Sequence, residues 1–314
     1  MSAIRVIHTA FIAVLCFIVF AASQLSAGEL KLEKGDRVAI IGNTLADRMQ
    51  HHGWLETMIQ SRFPELELSF RNLGFAGDEI KTRPRSANFG SPDQWLTKVE
   101  ADVVFCFFGY NEALRGEGAL AGFEKDLADM LDGMLAQKYN GESAPQIVVF
   151  SPIAHENLRS PHLPDGKENN AKLKLYTDAI AKVCQEKGVP FVDLFRPSQK
   201  LYAESDKSLT MNGIHLLERG NRAIAEVIDV ELFGKPPVVA ESQLNKLREA
   251  ILDRNLHWFS RYRVVDGYNV YGGRSKLAWH GQSNADVMRR EMEIFDVMTA
   301  NRDKRVNAVA KGGD

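Results

Sequence analysis

Short apolar runs rich in Val, Ile and Phe alternate along this chain with longer segments whose apolar residues recur at helical spacing. That alternation marks repeated strand-helix units and a parallel sheet. Five runs read as strands: "RVAII" (37 to 41), "LELSFR" (66 to 71), "DVVFCFF" (102 to 108), "QIVVFS" (146 to 151) and "VPFVDL" (189 to 194). The third is apolar almost throughout, the pattern of a strand covered on both faces. Between the runs, "WLETMIQSRF" carries Trp54, Leu55, Met58, Ile59 and Phe63 at helical spacing, and "SPDQWLTKVEA" opens with Ser91 as N-cap and Pro92 in the first helical position. "FEKDLADMLDGMLAQKY", "NNAKLKLYTDAIAKVCQEKG" with Gly188 as its stop, and "LLERGNRAIAEVIDVELFG" supply three more helices.

After Gly234, "KPPVV" breaks this rhythm. Two amphipathic patterns follow, "SQLNKLREAILDRNLHWFSRYR" and "NADVMRREMEIFDVMTANRDKR", joined by the Gly/Tyr-rich "VVDGYNVYGGRSKLAWHGQS". Met288, Met292 and Phe295 share a face of the second, as residues packed against a core do. The reading is an α/β domain over residues 28 to 236 with a helical extension, 237 to 314, docked on it.

Residues 1 to 27 differ from both. Arg5 precedes "AFIAVLCFIVFAA", and small residues follow in "SQLSA". The apolar run is short for a membrane span and has the layout of an export signal. A periplasmic or secreted protein is expected, with membrane attachment only if the signal stays uncleaved.

Composition narrows the function classes. The chain is 45% hydrophobic and 25% charged, enough for a sizeable core. A net charge of -2 with no Lys/Arg run longer than two leaves no footprint for nucleic acid. Cys16 leaves with the signal; Cys106 and Cys184 sit in apolar stretches and read as buried free thiols.

In open parallel sheets the ligand crevice lies outside the carboxyl ends of the strands. The segments after the five runs are "GNTLADR", "NLGFAGDE", "GYNEAL", "PIAHENLRSPHLPDG" and, after an excursion, "LTMNGIHLLERG". Thr44 offers a hydroxyl there and His215 a base, while the Gly77 amide and the Asn111 carboxamide offer two donors for a developing oxyanion. Those are the parts of an acyl-transfer site. "IGNTLADR" has one glycine where a dinucleotide or P-loop site needs several, so no nucleotide cofactor is expected. The loop with His155, Glu156 and Asn157 reads either as a substrate lid or as a solvated connection. His155 with His162, and His51 with His52, lack a carboxylate at ligand spacing, and no metal is expected. Arg83 and Arg85 in "KTRPRS" read as a solvated charge run, with an anionic substrate group as the alternative.

The order and content of these blocks resemble the SGNH hydrolases, the GDSL family of lipases and esterases, over residues 35 to 233. "GNTL" stands at the Gly-Asp-Ser-Leu block, "NLGFAGDE" at the glycine block, "GYNE" at the Gly-x-Asn-Asp block and "NGIH" at the Asp-x-x-His block. The resemblance implies a three-layer α/β fold with a five-stranded parallel sheet in flavodoxin-like order, and hydrolysis of carboxylic esters. It assigns the oxyanion hole to Gly77 and Asn111 and the base to His215. Thr44 occupies the nucleophile's place and Asn212 the orienting aspartate's. Asn43 and Glu112 also replace acidic residues, and Asn43 and His155 complete the expected substrate-binding set.

Two triad positions are thus changed. Threonine keeps a hydroxyl, but its methyl stiffens the side chain and crowds the attack. Asn212 can accept a hydrogen bond from the imidazole but cannot stabilise imidazolium by charge; in a serine protease the same exchange costs on the order of 10⁴ in rate. The expectation is a weakened Thr-His-Asn hydrolase acting on an acyl or O-acetyl ester of a small molecule or carbohydrate. A pseudoenzyme binding such an ester or a glycan, and a scaffold module docking a partner through the extension, are the alternatives.

Overall fold

Five parallel strands form the centre of the computed structural model, which describes residues 30 to 264 and 267 to 313. They are β1 Arg37–Gly42, β2 Ser69–Asn72, β3 Val103–Phe107, β4 Gln146–Phe150 and β5 Phe191–Val192, in the order β2-β1-β3-β4-β5. This is the flavodoxin-like order, with its switch point between β1 and β3. The export signal read at residues 1 to 27 lies outside the described residues.

Helices cover both faces of the sheet. In chain order they are α1 Thr44–His52, α2 Trp54–Arg62, α3 Pro92–Lys98, α4 Tyr110–Ala113, α5 Leu120–Leu135, α6 Lys167–Lys187, α7 Phe195–Glu204 and α8 Glu218–Phe233. Alternate strand residues point to opposite sides, so Val38, Ile40, Phe105 and Phe107 pack with Met49, Ile59 and Ile228 of α1, α2 and α8. Ala39, Ile41, Val104 and Cys106 pack with Leu96, Leu127, Leu131 and Ile180 of α3, α5 and α6. Cys106 and Cys184 are both buried free thiols.

Several boundaries have local causes. Ser91 caps α3, its hydroxyl accepting from the Gln94 amide at 3.2 Å while Gln94 Oε1 accepts from the Ser91 amide at 2.8 Å. The run at 66 to 71 starts its strand late because Pro64–Leu66 form a 3₁₀ turn. The run at 189 to 194 shortens to two residues: Pro190 has no N–H for the ladder, and Asp193 turns to accept the Phe195 amide at the start of α7, 2.8 Å away. Among the helices absent from the sequence reading, α1, α4 and α7 follow β1, β3 and β5 closely.

The C-terminal part consists of α9 Glu241–Arg263, a short α10 Gly267–Val270, a small antiparallel pair β6 Ala278–Trp279 and β7 Gln282–Ser283, and α11 Asn284–Ala310. Leu247, Ala250 and Ile251 of α9 meet Val306 and Val309 of α11 in a separate apolar seam. Helix α9 in turn lies along the edge strand β2. The Arg254 guanidinium donates to the Phe70 carbonyl at 3.0 Å, the Trp258 indole to the Asn72 carbonyl at 2.8 Å, and the Tyr262 hydroxyl to the Leu73 carbonyl at 3.1 Å. Arg254 and Trp258, four residues apart on the helix, advance about 6 Å, close to the two-residue strand step from Phe70 to Asn72, and Tyr262 reaches the Leu73 carbonyl just past the end of β2. The helix thereby satisfies the outward carbonyls of an edge that would otherwise stand open.

Arg254 is fully buried. It pairs with Glu56 of α2 and with Asp303 of α11, the latter at 3.1 Å. Asn255 bonds the other Glu56 oxygen at 2.9 Å and the Gln50 carbonyl at 3.0 Å. Every partner in this buried network is hydrogen-bonded to a charged or polar group, the condition under which such groups tolerate burial.

Candidate active site

Three of the four motif blocks, those of Thr44, Asn111 and His215, line a cavity of about 240 Å³ at the carboxyl ends of β1, β3 and β4. Thr44 and His215 both line it, as do Asn43 and Asn111. Its walls are otherwise mainly apolar, with Phe107, Phe108, Leu114, Pro152, Ile153 and Ile214.

Gly42 makes the junction of β1 and α1 possible. Its φ is +142°, and a Cβ there would stand 2.2 Å from the Phe107 carbonyl oxygen. The chain turns at that point, and Asn43 caps α1 by accepting the Leu45 amide at 3.2 Å. Thr44 is therefore the first residue of a helix, and its amide is one of the N–H groups a helix start leaves unpaired. A developing negative charge is favoured there. Asn43, grouped in the sequence with substrate contacts, lines the cavity while spending its side-chain oxygen on this cap.

Asn111 and Glu112 tie the glycine block to the segment after β3. Asn111 Nδ2 donates to the Asp78 carbonyl at 3.0 Å, which leaves its second amide hydrogen for a ligand. The buried Glu112 carboxylate accepts from the Ile80 amide and from the Gly109 amide, each at 3.0 Å. Burial pushes its carboxyl up from the ordinary value, opposed by those backbone donors. Gly77 lies in the tight turn Phe75 to Asp78, closed by the Asp78 amide on the Phe75 carbonyl at 3.0 Å, and is solvent-exposed beside the cavity lining rather than within it.

His215 sits in a hairpin loop closed by the Thr210–Leu216 bridge and by the Met211 amide on the His215 carbonyl at 2.9 Å. Asn212 shapes that loop: its Oδ1 accepts the Ile214 amide at 3.2 Å and the His215 amide at 3.0 Å. Its carboxamide also contacts the ring, with Nδ2 at 2.9 Å and Oδ1 at 3.1 Å from His215 Nδ1. Burial, followed by the positive field of Arg48, holds the His215 imidazolium below its ordinary acidity range, so the ring is neutral at neutral pH. Among the described residues no hydrogen bond joins Thr44 to His215, and in such sites the catalytic hydrogen bond commonly tightens only when substrate is bound.

His155 falls outside the cavity lining. Its ring fills the space above Gly213, where a Cβ would stand 2.4 Å from His155 Nε2, and Gly213 has a φ of +88°. Glu156 beside it is buried and accepts the Leu209 and Thr210 amides at 3.0 and 2.7 Å. The His155-Glu156 segment is thus neither a lid nor a solvated connection; it is the platform under the His215 loop. Arg83 and Arg85 likewise leave solvent. Arg85 forms two bonds to the buried Asp78, at 2.8 and 2.7 Å, and the Arg83 guanidinium lies 5.0 Å from the centre of the Phe108 ring.

Four polar lining residues escaped the sequence reading: Arg48, Tyr110, Ser151 and Asn221, the last with its amide on the Leu216 and Leu217 carbonyls. Arg48 becomes readable once "TLADR" is taken as helix, since it lies four residues after Thr44 on the same face. Tyr110 receives the Asn169 amide at 2.8 Å, and burial pushes its phenol up to about 12. Ser151 is the serine in the cavity lining, but its buried hydroxyl already accepts the Leu194 and Phe195 amides at 2.8 and 3.0 Å and donates within the same turn. That leaves Thr44 as the hydroxyl facing the cavity without such ties.

The model of the GDSL-like lipase/acylhydrolase family matches residues 41–223, which enclose all four blocks. The chain belongs to this family. Within it, the chain is 28% identical over 171 residues to GDSL esterase/lipase CPRD49 of Arabidopsis thaliana, covering 52% of this chain and 60% of that one. It is 27% identical over 168 residues to GDSL esterase/lipase WDL1 of Oryza sativa subsp. japonica, covering 51% and 58%. The chain thus matches less than two thirds of the length of these GDSL relatives. A catalytic variant of Axe2, an acetylxylan esterase from Geobacillus stearothermophilus, shares the fold with a TM-score of 0.52 at 14% identity, over 67% of this chain and 100% of that one. The GDSL match ends before α9, so the helices that close the β2 edge lie beyond the family's matched region.

Proposed function

We propose that this protein hydrolyses carboxylic esters, acyl or O-acetyl, with Thr44 as nucleophile and His215 as its base. The observation that carries the reading is the shared cavity: a hydroxyl at a helix start, a neutral imidazole and an Asn111 amide with one free hydrogen border the same apolar space. Thr44 Oγ1 attacks the ester carbonyl as His215 Nε2 takes its proton. The Thr44 amide and Asn111 Nδ2 receive the oxyanion, and His215 returns the proton to the leaving alcohol. Water then attacks the acyl-threonine by the same route. Asn212 holds the imidazole through Nδ1 but lacks the charge to stabilise imidazolium, so turnover is slow.

The substrate is a small-molecule or carbohydrate ester, in keeping with the family and with the acetylxylan activity named for the structural neighbour. With an export signal at residues 1 to 27, the reaction takes place in the periplasm or outside the cell. The test is acetate release by the full chain from an aryl acetate and from acetylated xylo-oligosaccharides. Release from either, lost in His215→Ala, supports the reading. Saturable binding without release would make the protein a pseudoenzyme.

A further inference from the structure

Arg48 stands one helical turn after Thr44, and both line the cavity. Among the described residues it is the cavity's one side chain with a fixed charge. Most other arginines of this fold that are half-buried or deeper have carboxylate partners, as Arg62 with Asp229 at 2.6 Å, Arg85 with Asp78 at 2.7 Å and Arg263 with Asp47 at 2.5 Å, while Arg83 rests on the Glu79 carbonyl and the Phe108 ring. Arg48 has none among the described residues, and its Nε is buried without a hydrogen-bond partner. The acid next to it in sequence, Asp47, is committed to Arg263 and to the Gln50 amide. The terminal nitrogens of Arg48 are not tied to any carboxylate among the described residues, and a carboxylate fits the planar fork they make with the buried Nε.

We propose, on the ester-hydrolase reading above, that Arg48 binds a carboxylate of the substrate, so that the preferred ester is an anionic one. Side chains four residues apart on a helix have Cβ atoms about 5–6 Å apart. The carboxylate therefore lies a few bonds from the scissile carbonyl. Two sources satisfy that span: the acyl group of a dicarboxylic half-ester, or a uronic acid bearing the acyl group on a neighbouring hydroxyl. Both present the same group to Arg48. The apolar surroundings strengthen the pairing relative to water.

The experiment compares matched esters on the full chain: 4-nitrophenyl acetate against mono-4-nitrophenyl succinate for the acyl side, and acetylated glucose against acetylated glucuronic acid for the alcohol side. The ratio of kcat/KM, charged over neutral, is read in the wild type, Arg48→Gln and Arg48→Lys, which cancels any general loss of activity. The expected wild-type ratio is about tenfold or more in one pair, falling toward one in Arg48→Gln and only partly in Arg48→Lys. It also falls with added salt. Turnover of the neutral esters with ratios near one in both pairs overturns the proposal while leaving the hydrolase reading intact. If no ester is turned over, that reading fails, and calorimetry with succinate and glucuronate decides the Arg48 site: binding weakened about tenfold in Arg48→Gln supports it, and no binding overturns it. Should Arg48→Gln fail to fold, the wild-type ratios and their salt dependence decide alone.

Discussion

Asn212 meets the edge of the His215 ring with both ends of its carboxamide, Nδ2 at 2.9 Å and Oδ1 at 3.1 Å from Nδ1. The two contacts demand opposite tautomers. If Nδ1–H donates to Oδ1, Nε2 is a free base; if Nδ2 donates to Nδ1, the proton sits on Nε2 and the base is blocked. A carboxylate admits only the first arrangement. Asn212→Asp is therefore expected to raise kcat/KM on a simple ester by a hundredfold or more, up to about 10⁴, as the converse exchange in a serine protease suggests. Steady-state kinetics on the two proteins checks it; a lower or unchanged rate would mean that the imidazole is not limited by its partner.

The pH profile follows from the same ring. His215 acts as a base only when neutral, and burial together with Arg48 lowers its proton affinity. The acid limb of kcat/KM is expected below the ordinary imidazole value of about 6.5. Introducing a negative charge favours imidazolium, so in Asn212→Asp the limb moves to higher pH, and Arg48→Gln moves it the same way by removing a positive charge. Rate profiles from pH 4 to 9 on the three proteins read both shifts.

Asn111 has two tasks, bonding the Asp78 carbonyl at 3.0 Å and donating to the reaction. Asn111→Ala is expected to lower kcat by about 10²–10³, the usual loss for one oxyanion donor. Its cost in stability should be about 1 kcal/mol, one hydrogen bond. Kinetics and urea unfolding on the same preparation separate the two; a stability loss several times larger would mean that the rate falls because the loop collapses.

Much of this was legible in the sequence, and the exceptions have physical causes. The five apolar runs mark the five strands because a sheet covered on both faces needs nearly continuous apolar side chains, as in Val103–Phe107. Helix α3 is written in Ser91 and Pro92, which act locally. Helix α1 was hidden: its first residues coincide with a motif read as a loop, and its buried face consists of Ala46, Met49 and Gln50, too little apolar surface to register. Arg48 was missed with it. His155 and Glu156 look like site residues in sequence because a buried platform and a ligand contact use the same side chains; only the 2.4 Å approach to a Cβ on Gly213 distinguishes them.

The C-terminal helices make a prediction about stability. Arg254 is fully buried between Glu56 and Asp303, so Arg254→Ala leaves the buried Glu56 carboxylate without its cation, while Asp303 keeps Arg71 at 2.5 Å. A loss of about 3–5 kcal/mol is expected. Urea unfolding measures it, and a loss below about 1 kcal/mol would show that α9 contributes little to the fold of the sheet edge.

The central claim is that Thr44 and His215 act together on an ester, and one kinetic comparison tests it most directly. kcat/KM for 4-nitrophenyl acetate is measured on the wild type, Thr44→Ala, His215→Ala and Thr44→Ser. The account predicts turnover abolished in both alanine variants and raised about tenfold in Thr44→Ser, equivalent to about 1.4 kcal/mol of barrier removed with the methyl group. Turnover that persists unchanged in Thr44→Ala and His215→Ala would contradict it.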